Sequence, residues 1–128
     1  MSKIKGIRSE RELFHKFWSN GWACLRTAGS GSTSFPAPDL IAGKGGRLLV
    51  IECKSGAGNY RYLDKKEVEE LCFFADAFGA EAWIGARFDR VGWFFVPARE
   101  LTQSGPNNFV VHLKHVSEKG KKFEDLTA

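Results

Sequence analysis

The sequence contains few cysteines, and their arrangement excludes two common classes of small protein. Cys24, Cys53 and Cys72 are odd in number, widely spaced and flanked by apolar residues. Such a set fits neither a disulfide framework nor a zinc knuckle, because both need paired cysteines at characteristic spacings. Buried free thiols are therefore the expected role.

The sequence also lacks any long apolar run. No stretch approaches the roughly 20 residues that a membrane-spanning helix needs, and the basic residues 1–6 lead into no apolar signal region. Internal repeats, low-complexity tracts and interdomain linkers are missing as well. With 128 residues, 43% of them hydrophobic, the chain is expected to form one globular domain over residues 1–128, in the cytoplasm and away from membranes.

Positive charge is concentrated in the first half of the chain. Residues 1–66 contain twelve Lys and Arg against five Asp and Glu, whereas residues 67–128 contain seven against ten. A basic half joined to a mildly acidic half suggests one face that meets a polyanion. A solvated face with scattered lysines explains the charge about as well, so charge alone leaves both alternatives open.

Hydrophobic spacing and turn residues predict an α/β fold. The first helix is predicted over residues 10–20, with Ser9 as N-cap and Glu12 completing a capping box. The second is predicted over residues 64–79, with Asp64 as its cap. Strands are predicted at 22–27, 39–42, 47–54, 82–88 and 91–96, with an edge strand at 109–113. We expect a central mixed sheet flanked by helices, and a loosely held tail after about residue 117.

The strongest strand signal, residues 47–54, carries a Glu and a Lys on one face. Side chains alternate along a strand, so Glu52 and Lys54 point the same way, about 7 Å apart. A bare Glu-x-Lys is explained more easily by an exposed strand end. The glycine-rich turn after residues 39–42 changes this, because an antiparallel return would bring Asp39 close to Glu52.

Asp39 and Glu52 thus form a predicted carboxylate pair. Their negative charges repel each other unless a proton or cation lies between them. Carboxylate oxygens suit Mg²⁺, which usually keeps several waters and binds phosphate oxygens alongside. Lys54 then has two candidate roles, to position or activate the attacking water or to stabilise negative charge on the phosphate. Pro38-Asp39 and Glu52-Cys53-Lys54 form the Pro-Asp … Glu-x-Lys nuclease motif, so we expect a magnesium-dependent nuclease that cuts DNA.

A third carboxylate, Glu10, shares the inward stripe of the first helix with Leu13 and Phe14. An acid at a helix start is also explained by the helix dipole. Further basic residues are expected to bind phosphates without reading base sequence; they are Lys3, Lys5, Arg8, Arg61, Lys65 and Lys66.

Several segments resemble the archaeal Holliday junction resolvase family, Hjc. The resemblance covers roughly residues 5–97, in order and at compatible spacing. It rests on Gly6-x-x-x-Glu10-Arg11-Glu12-Leu13 and on the runs GWACLRTAGS at 21–30, PDLIAG at 38–43, LVIECKS at 49–55 and VGWFF at 91–95. The C-terminal third matches poorly, and nothing is carried over there.

The resemblance implies a restriction-endonuclease-like nuclease fold and a homodimer that binds four-way DNA junctions and nicks two opposed strands. Carried over by position, Glu10, Asp39 and Glu52 would hold one or two Mg²⁺ ions, with Mn²⁺ as a substitute, and Lys54 would be catalytic. Ser30 would lie in a loop that reaches the active site or the DNA.

The resemblance also implies that Arg11 and Arg26 meet phosphates, although either could be a lone surface cation. Phe73 and Phe74 are a candidate dimer interface, with burial inside the monomer as the alternative. The enzyme would act at the nucleoid, with recombination or replication proteins as unidentified partners. Two alternatives remain open: another repair or restriction-type endonuclease of this fold, and a catalytically inactive junction-binding module.

Overall fold

The computed structural model describes residues 3–27 and 35–128. Its helices are α1 (Lys3–Ser19), α2 (Lys65–Phe78), α3 (Leu113–Lys119) and α4 (Phe123–Leu126), with a 3-10 turn at Ala98–Glu100. Its strands are β1 (Ala23–Arg26), β2 (Leu40–Lys44), β3 (Arg47–Gly56), β4 (Tyr60–Asp64), β5 (Glu81–Phe88), β6 (Gly92–Pro97), β7 (Thr102–Gly105) and β8 (Asn108–His112). Across these ranges, every helix is too short or too polar to span a bilayer.

The main sheet has five strands in the order β1-β2-β3-β5-β6. The β3–β5 pair is parallel and the others are antiparallel, so the predicted mixed sheet is confirmed. Gly45 and Gly46 join β2 to β3 with φ of +56° and +86°. Two successive positive φ angles form the turn whose twist matches a tight hairpin, and the predicted antiparallel return of the chain is therefore correct.

Successive side chains of β3 point to opposite faces of the sheet, and each face carries a buried hydrophobic cluster. Ile51 belongs to the cluster that contains Phe17 of α1. Val50 belongs to the cluster that contains Leu71 of α2. The two helices therefore cover opposite faces of the main sheet, as expected for a sheet buried on both sides.

Helix α1 begins earlier than the sequence predicts. Ser9 is buried inside the helix, where its hydroxyl donates to the Lys5 carbonyl at 3.1 Å. Glu12 forms no cap; its carboxylate accepts from the Trp93 indole at 2.7 Å and from Arg87 at 3.0 Å. The predicted capping box is wrong because these tertiary contacts override a local start signal.

Helix α2 has the predicted ends. Asp64 accepts from the Glu67 backbone N–H at 2.7 Å, and the Glu67 side chain accepts from the Asp64 N–H at 2.9 Å. This reciprocal pair is a capping box. Gly79 ends the helix in the left-handed conformation, with φ of +72°.

The C-terminal third differs most from the predictions. The predicted edge strand near residues 109–113 is β8, the middle strand of a second sheet with order β4-β8-β7. The tail is not loosely held, because Phe123 and Leu126 are 3% and 0% exposed and belong to the α1 cluster. The Phe123 ring contacts Phe17 edge-on, with centroids 5.1 Å apart. A backbone bridge between Phe95 and Lys121 adds to this packing and holds the tail beside β6.

Candidate active site

Asp39 and Glu52 meet at the end of the β2–β3 hairpin. Leu40 pairs with Ile51 across the hairpin, so Asp39 extends that register to Glu52. The Asp39 backbone N–H donates to the Ile51 carbonyl at 3.1 Å. The Asp39 Oδ2 accepts from the Cys53 backbone N–H at 2.8 Å. The carboxylate is thereby fixed against the second half of the nuclease motif.

Glu52 and Lys54 lie on the α2 face of β3. Because side chains alternate along a strand, Glu52 and Lys54 point to the same face as Val50, which packs with α2. Ile51 points to the other face and packs with α1. The predicted common face of Glu52 and Lys54 is confirmed. It places both side chains beside the start of α2.

Both carboxyls of the pair have raised pKa values in the metal-free protein. Burial raises the pKa of Asp39 to about 6; the negative charge of Glu10 also raises it, while the Cys53 hydrogen bond lowers it. Burial, followed by the charge of Asp39, raises the pKa of Glu52 to about 9. A low-dielectric environment and a neighbouring like charge both disfavour the ionised form. A cation bound between these oxygens would reverse that preference.

The Lys54 ammonium has a carboxylate partner that the sequence analysis missed. Its Nζ donates to Glu67 Oε1 at 2.5 Å. Burial alone would lower the pKa of Lys54, but the hydrogen bond to Glu67 and the surrounding carboxylates raise it above its ordinary value. The sequence signal is limited to the capping box: Glu67, three residues after Asp64, marks the start of α2, but its spacing does not pair it with Lys54.

Glu10 and Arg26 form an ion pair at the same end of the molecule. Arg26 Nε donates to Glu10 Oε1 at 3.1 Å, and both side chains are about one fifth exposed. The charge of Glu10 contributes to the raised pKa values of Asp39 and Glu52. The structure therefore brings Glu10 near the carboxylate pair, held by Arg26.

The donor chemistry of these residues fits a hard divalent cation such as Mg²⁺. Asp39 and Glu52 supply carboxylate oxygens whose mutual repulsion a divalent cation would relieve. Within residues 3–27 and 35–128, no three His, Cys, Asp or Glu side chains are already grouped as a metal site. Glu10 is engaged by Arg26, so the geometry supports Asp39 and Glu52 as ligands more directly than Glu10.

The predicted phosphate-binding residues fall into different environments. Arg8 and Arg11 are exposed on α1, and Lys65 and Lys66 are exposed in the first turn of α2. Lys5 forms an ion pair with Asp89. The Lys3 side chain and Ser30 lie outside the part of the chain that can be described.

Arg61 was predicted to meet DNA, and the structure contradicts this. Its side chain is buried, with 6% exposure, and the guanidinium lies over the Phe88 ring at 4.6 Å. It donates to the backbone carbonyls of Gly56, Ala57, Gly58, Tyr60 and Arg87. Arg61 therefore fixes the loop between β3 and β4. In the sequence Arg61 could not be told from a surface cation. Buried and exposed side chains alternate along β4, and Arg61 occupies a buried position.

A family model for the archaeal Holliday junction resolvase (Hjc) matches residues 1–128. The chain belongs to this family. The crossover junction endodeoxyribonuclease Hjc of Archaeoglobus fulgidus is 43% identical over 105 residues, which are 82% of this chain and 77% of that protein. Hjc of Sulfolobus acidocaldarius is 33% identical over 127 residues, 98% of this chain and 87% of its own length.

Solved structures agree with the family assignment. The structure of A. fulgidus Hjc, a Holliday junction resolvase, superposes with a TM-score of 0.88 at 36% identity, covering 96% of this chain and all of that one. A bacterial homing endonuclease, at 16% identity and a TM-score of 0.59 over 98% of this chain and 86% of its own, shares the fold alone. The resemblance and the nuclease fold are thus confirmed. Family membership implies an endonuclease with a divalent metal requirement.

Proposed function

We propose that the chain is a Holliday junction resolvase: a homodimer that binds four-way DNA junctions and nicks two opposed strands with Mg²⁺. The observation that carries this proposal is the convergence of Asp39, Glu52 and Lys54 at the end of the β2–β3 hairpin, in a chain of the Hjc family. Such an enzyme would work in the cytoplasm, at the nucleoid.

Asp39 and Glu52 would hold the metal, with Glu10 as a third ligand if it turns from Arg26. A divalent ion held there would supply polarisation of the scissile phosphate and a lower pKa for the attacking water. The Cys53 N–H uses one lone pair of Asp39 Oδ2, so the carboxylate keeps acceptor capacity for a cation. Binding of the ion would displace the proton that Glu52 holds at neutral pH.

Lys54 has a raised pKa, so it remains an ammonium at neutral pH. A protonated lysine does not accept a proton from water. As an ammonium it could stabilise negative charge on the phosphate and position the attacking water, so we assign it these roles and not the activation of that water. General-base activation would then fall to another group or to solvent.

Exposed cations beside the site would bind the DNA backbone. Arg8 and Arg11 lie one turn apart on α1, and Lys65 and Lys66 open α2. Contacts to phosphate carry no base information, so recognition would be of junction shape. Binding would weaken steeply with salt, because each contact releases counterions.

The dimer interface is proposed on the exposed face of α2. Phe73 is 66% exposed, which removes the alternative that it is buried in the monomer core. Phe78 is exposed and packs against Phe74 with ring centroids 5.2 Å apart. Leu25 is exposed on β1 next to Ile41, on the face of the sheet that α2 covers. Apolar patches of this kind mark protein interfaces, and an isologous dimer matches a two-fold junction.

The test of this function is cleavage of a labelled, immobile four-way junction beside linear duplex of the same sequence, with Mg²⁺ or with EDTA. Paired nicks in the junction alone, and only with metal, are expected. Equal cutting of the linear duplex would make the chain a general endonuclease of the same fold. Tight junction binding without any cutting would make it a binding module.

A further inference from the structure

The carboxylate of Glu67 connects the cap of α2 to the lysine of the proposed active site. Its Oε1 accepts from Lys54 Nζ at 2.5 Å, and its Oε2 accepts from the Asp64 backbone N–H at 2.9 Å. The Glu67 N–H donates in turn to Asp64 Oδ1 at 2.7 Å. The Glu67 carboxylate is therefore bonded to Lys54 of β3 through one oxygen and to the cap residue of α2 through the other.

This contact differs from a loose surface ion pair. The side chains of Lys54 and Glu67 are 27% and 29% exposed, and α2 is anchored in the core by Val68 and Leu71. Glu67 also borders a cavity of about 70 Å³ that Glu52 lines. A carboxylate fixed by its helix cap loses little further freedom on pairing, whereas mobile surface pairs contribute almost nothing.

Lysine needs such a partner here because its long side chain stands among several carboxylates. A free ammonium would pair with the nearest carboxylate oxygens of Asp39 or Glu52, which are the oxygens a divalent cation would use. The hydrogen bond to Glu67 holds the ammonium on the α2 side of the pair. The charge of Lys54 then stays beside the metal ligands without covering them.

We propose that Glu67 is a positioning residue for junction cleavage, fixing the Lys54 ammonium beside the Asp39–Glu52 pair but not on it. This inference rests on the proposed function, because it assigns Lys54 to that reaction. The competing explanation is purely structural, since Glu67 also caps α2. The chain supplies a matched control: Asp64→Ala breaks the same capping box and leaves the contact with Lys54 in place.

The kinetic test compares four variants under enzyme excess on a four-way junction with Mg²⁺. Glu67→Ala is expected to slow the cleavage step roughly tenfold with little change in junction affinity, since misplaced groups cost that much or more. Glu67→Gln keeps one acceptor oxygen, which can accept from Lys54 or from the Asp64 N–H but not from both. It is therefore expected to recover only part of the rate. Asp64→Ala is expected to cut at close to the wild-type rate, although it lowers the melting temperature. Glu69→Gln, at an exposed position of the same helix, is expected to change neither.

Two outcomes would overturn the inference. One is equal rates for Glu67→Ala and Asp64→Ala, which would reduce Glu67 to a helix cap. The other is a further rate loss when Glu67→Ala is added to Lys54→Ala, because a residue that acts through Lys54 has no additional effect once Lys54 is gone.

A second readout needs no DNA cleavage. In the metal-free protein, acylation of lysine amines followed by mass spectrometry is expected to modify Lys54 more slowly than the exposed Lys65. Glu67→Ala is expected to speed the Lys54 reaction, and Asp64→Ala is not. If the chain cuts no junction, the proposed function fails while this labelling still tests the pairing. If it cuts and Glu67→Ala changes neither rate, only the positioning inference fails.

Discussion

The carboxylate of Asp39 accepts a hydrogen bond from the backbone N–H of Cys53 at 2.8 Å. This contact joins the two halves of the nuclease motif directly. The Asp39 backbone N–H donates to the Ile51 carbonyl at 3.1 Å, which continues the hairpin hydrogen bonding one residue beyond the start of β2 at Leu40. Glu52 is therefore held next to Asp39 by backbone geometry as well as by side-chain packing, and the carboxylate pair is built into the sheet.

The carboxylate pair predicts a pH-dependent stability of the metal-free protein. The folded-state pKa values of Asp39 and Glu52 are raised to about 6 and about 9. The folded state therefore binds more protons than the unfolded state once the pH exceeds about 4. Stability is highest near the unfolded values and falls as pH rises through the folded ones. Thermal melting in EDTA is expected to show the melting temperature falling from about pH 5 to about pH 9.

Two controls accompany this measurement. Glu52→Gln removes the group with the larger shift, so its melting temperature should vary less over the same pH range. Mg²⁺ should raise the melting temperature most at the alkaline end, where the ionised pair repels itself. Glu81 has a lowered pKa because of its hydrogen bond to Arg47, so its contribution is lost only at acidic pH. A Glu52→Gln protein with the full wild-type slope would contradict the assignment.

Arg61→Ala is expected to destabilise the fold without a direct loss of DNA contacts. The substitution leaves backbone carbonyls of the β3–β4 loop, including those of Gly56 and Arg87, without their donor. Each buried acceptor left unsatisfied costs about 1–3 kcal/mol, so a total loss of roughly 3 kcal/mol is expected in urea unfolding. Arg61→Lys should recover little, because an ammonium lacks the planar fork of a guanidinium.

Lys65→Ala is the matched comparison for Arg61. Lys65 is exposed, so its loss should leave the free energy of unfolding almost unchanged. It should instead weaken junction binding and reduce the salt dependence of that binding by about one phosphate contact. The opposite pattern, with Arg61→Ala stable and selectively weak in binding, would restore Arg61 to the DNA surface.

Phe73→Asp is expected to convert the proposed dimer to a monomer. A charge placed on an apolar isologous interface is introduced twice, once from each subunit, and loses its hydration on association. Light scattering of the purified protein measures the change in mass, and the junction assay should show fewer paired nicks. Tyr62→Asp is the control, because Tyr62 is also exposed but lies on the second sheet. A monomer produced by Tyr62→Asp and not by Phe73→Asp would place the interface on that sheet.

The parts of the fold set by local signals were predictable from the sequence. The β2–β3 hairpin has alternating side chains and a double-glycine turn, and α2 has an acidic cap and a glycine end. Strand β4 was missed because Arg61 occupies one of its buried positions and hides the alternation. Strand β7 consists of small polar residues with no apolar face.

The tertiary contacts of the site were beyond local signals. The sequence identifies Glu67 only as a capping residue. The packing of α2 against β3 brings its carboxylate to Lys54. The pairing of Arg26 with Glu10 likewise joins a helix to a strand 16 residues later. Neither contact has a fixed sequence spacing that could reveal it.

The most direct test of the account is the cleavage and binding of a labelled four-way junction by Glu52→Gln in Mg²⁺. Gln keeps the size of the side chain but removes the charge that a metal ligand needs. Because even outer-shell partners of a metal typically contribute 10–100-fold, loss of a direct ligand should slow paired nicking by at least about a hundredfold. Junction affinity should be unchanged or tighter. Paired nicking by Glu52→Gln at the wild-type rate would contradict the assignment of Glu52 and, with it, the proposed active site.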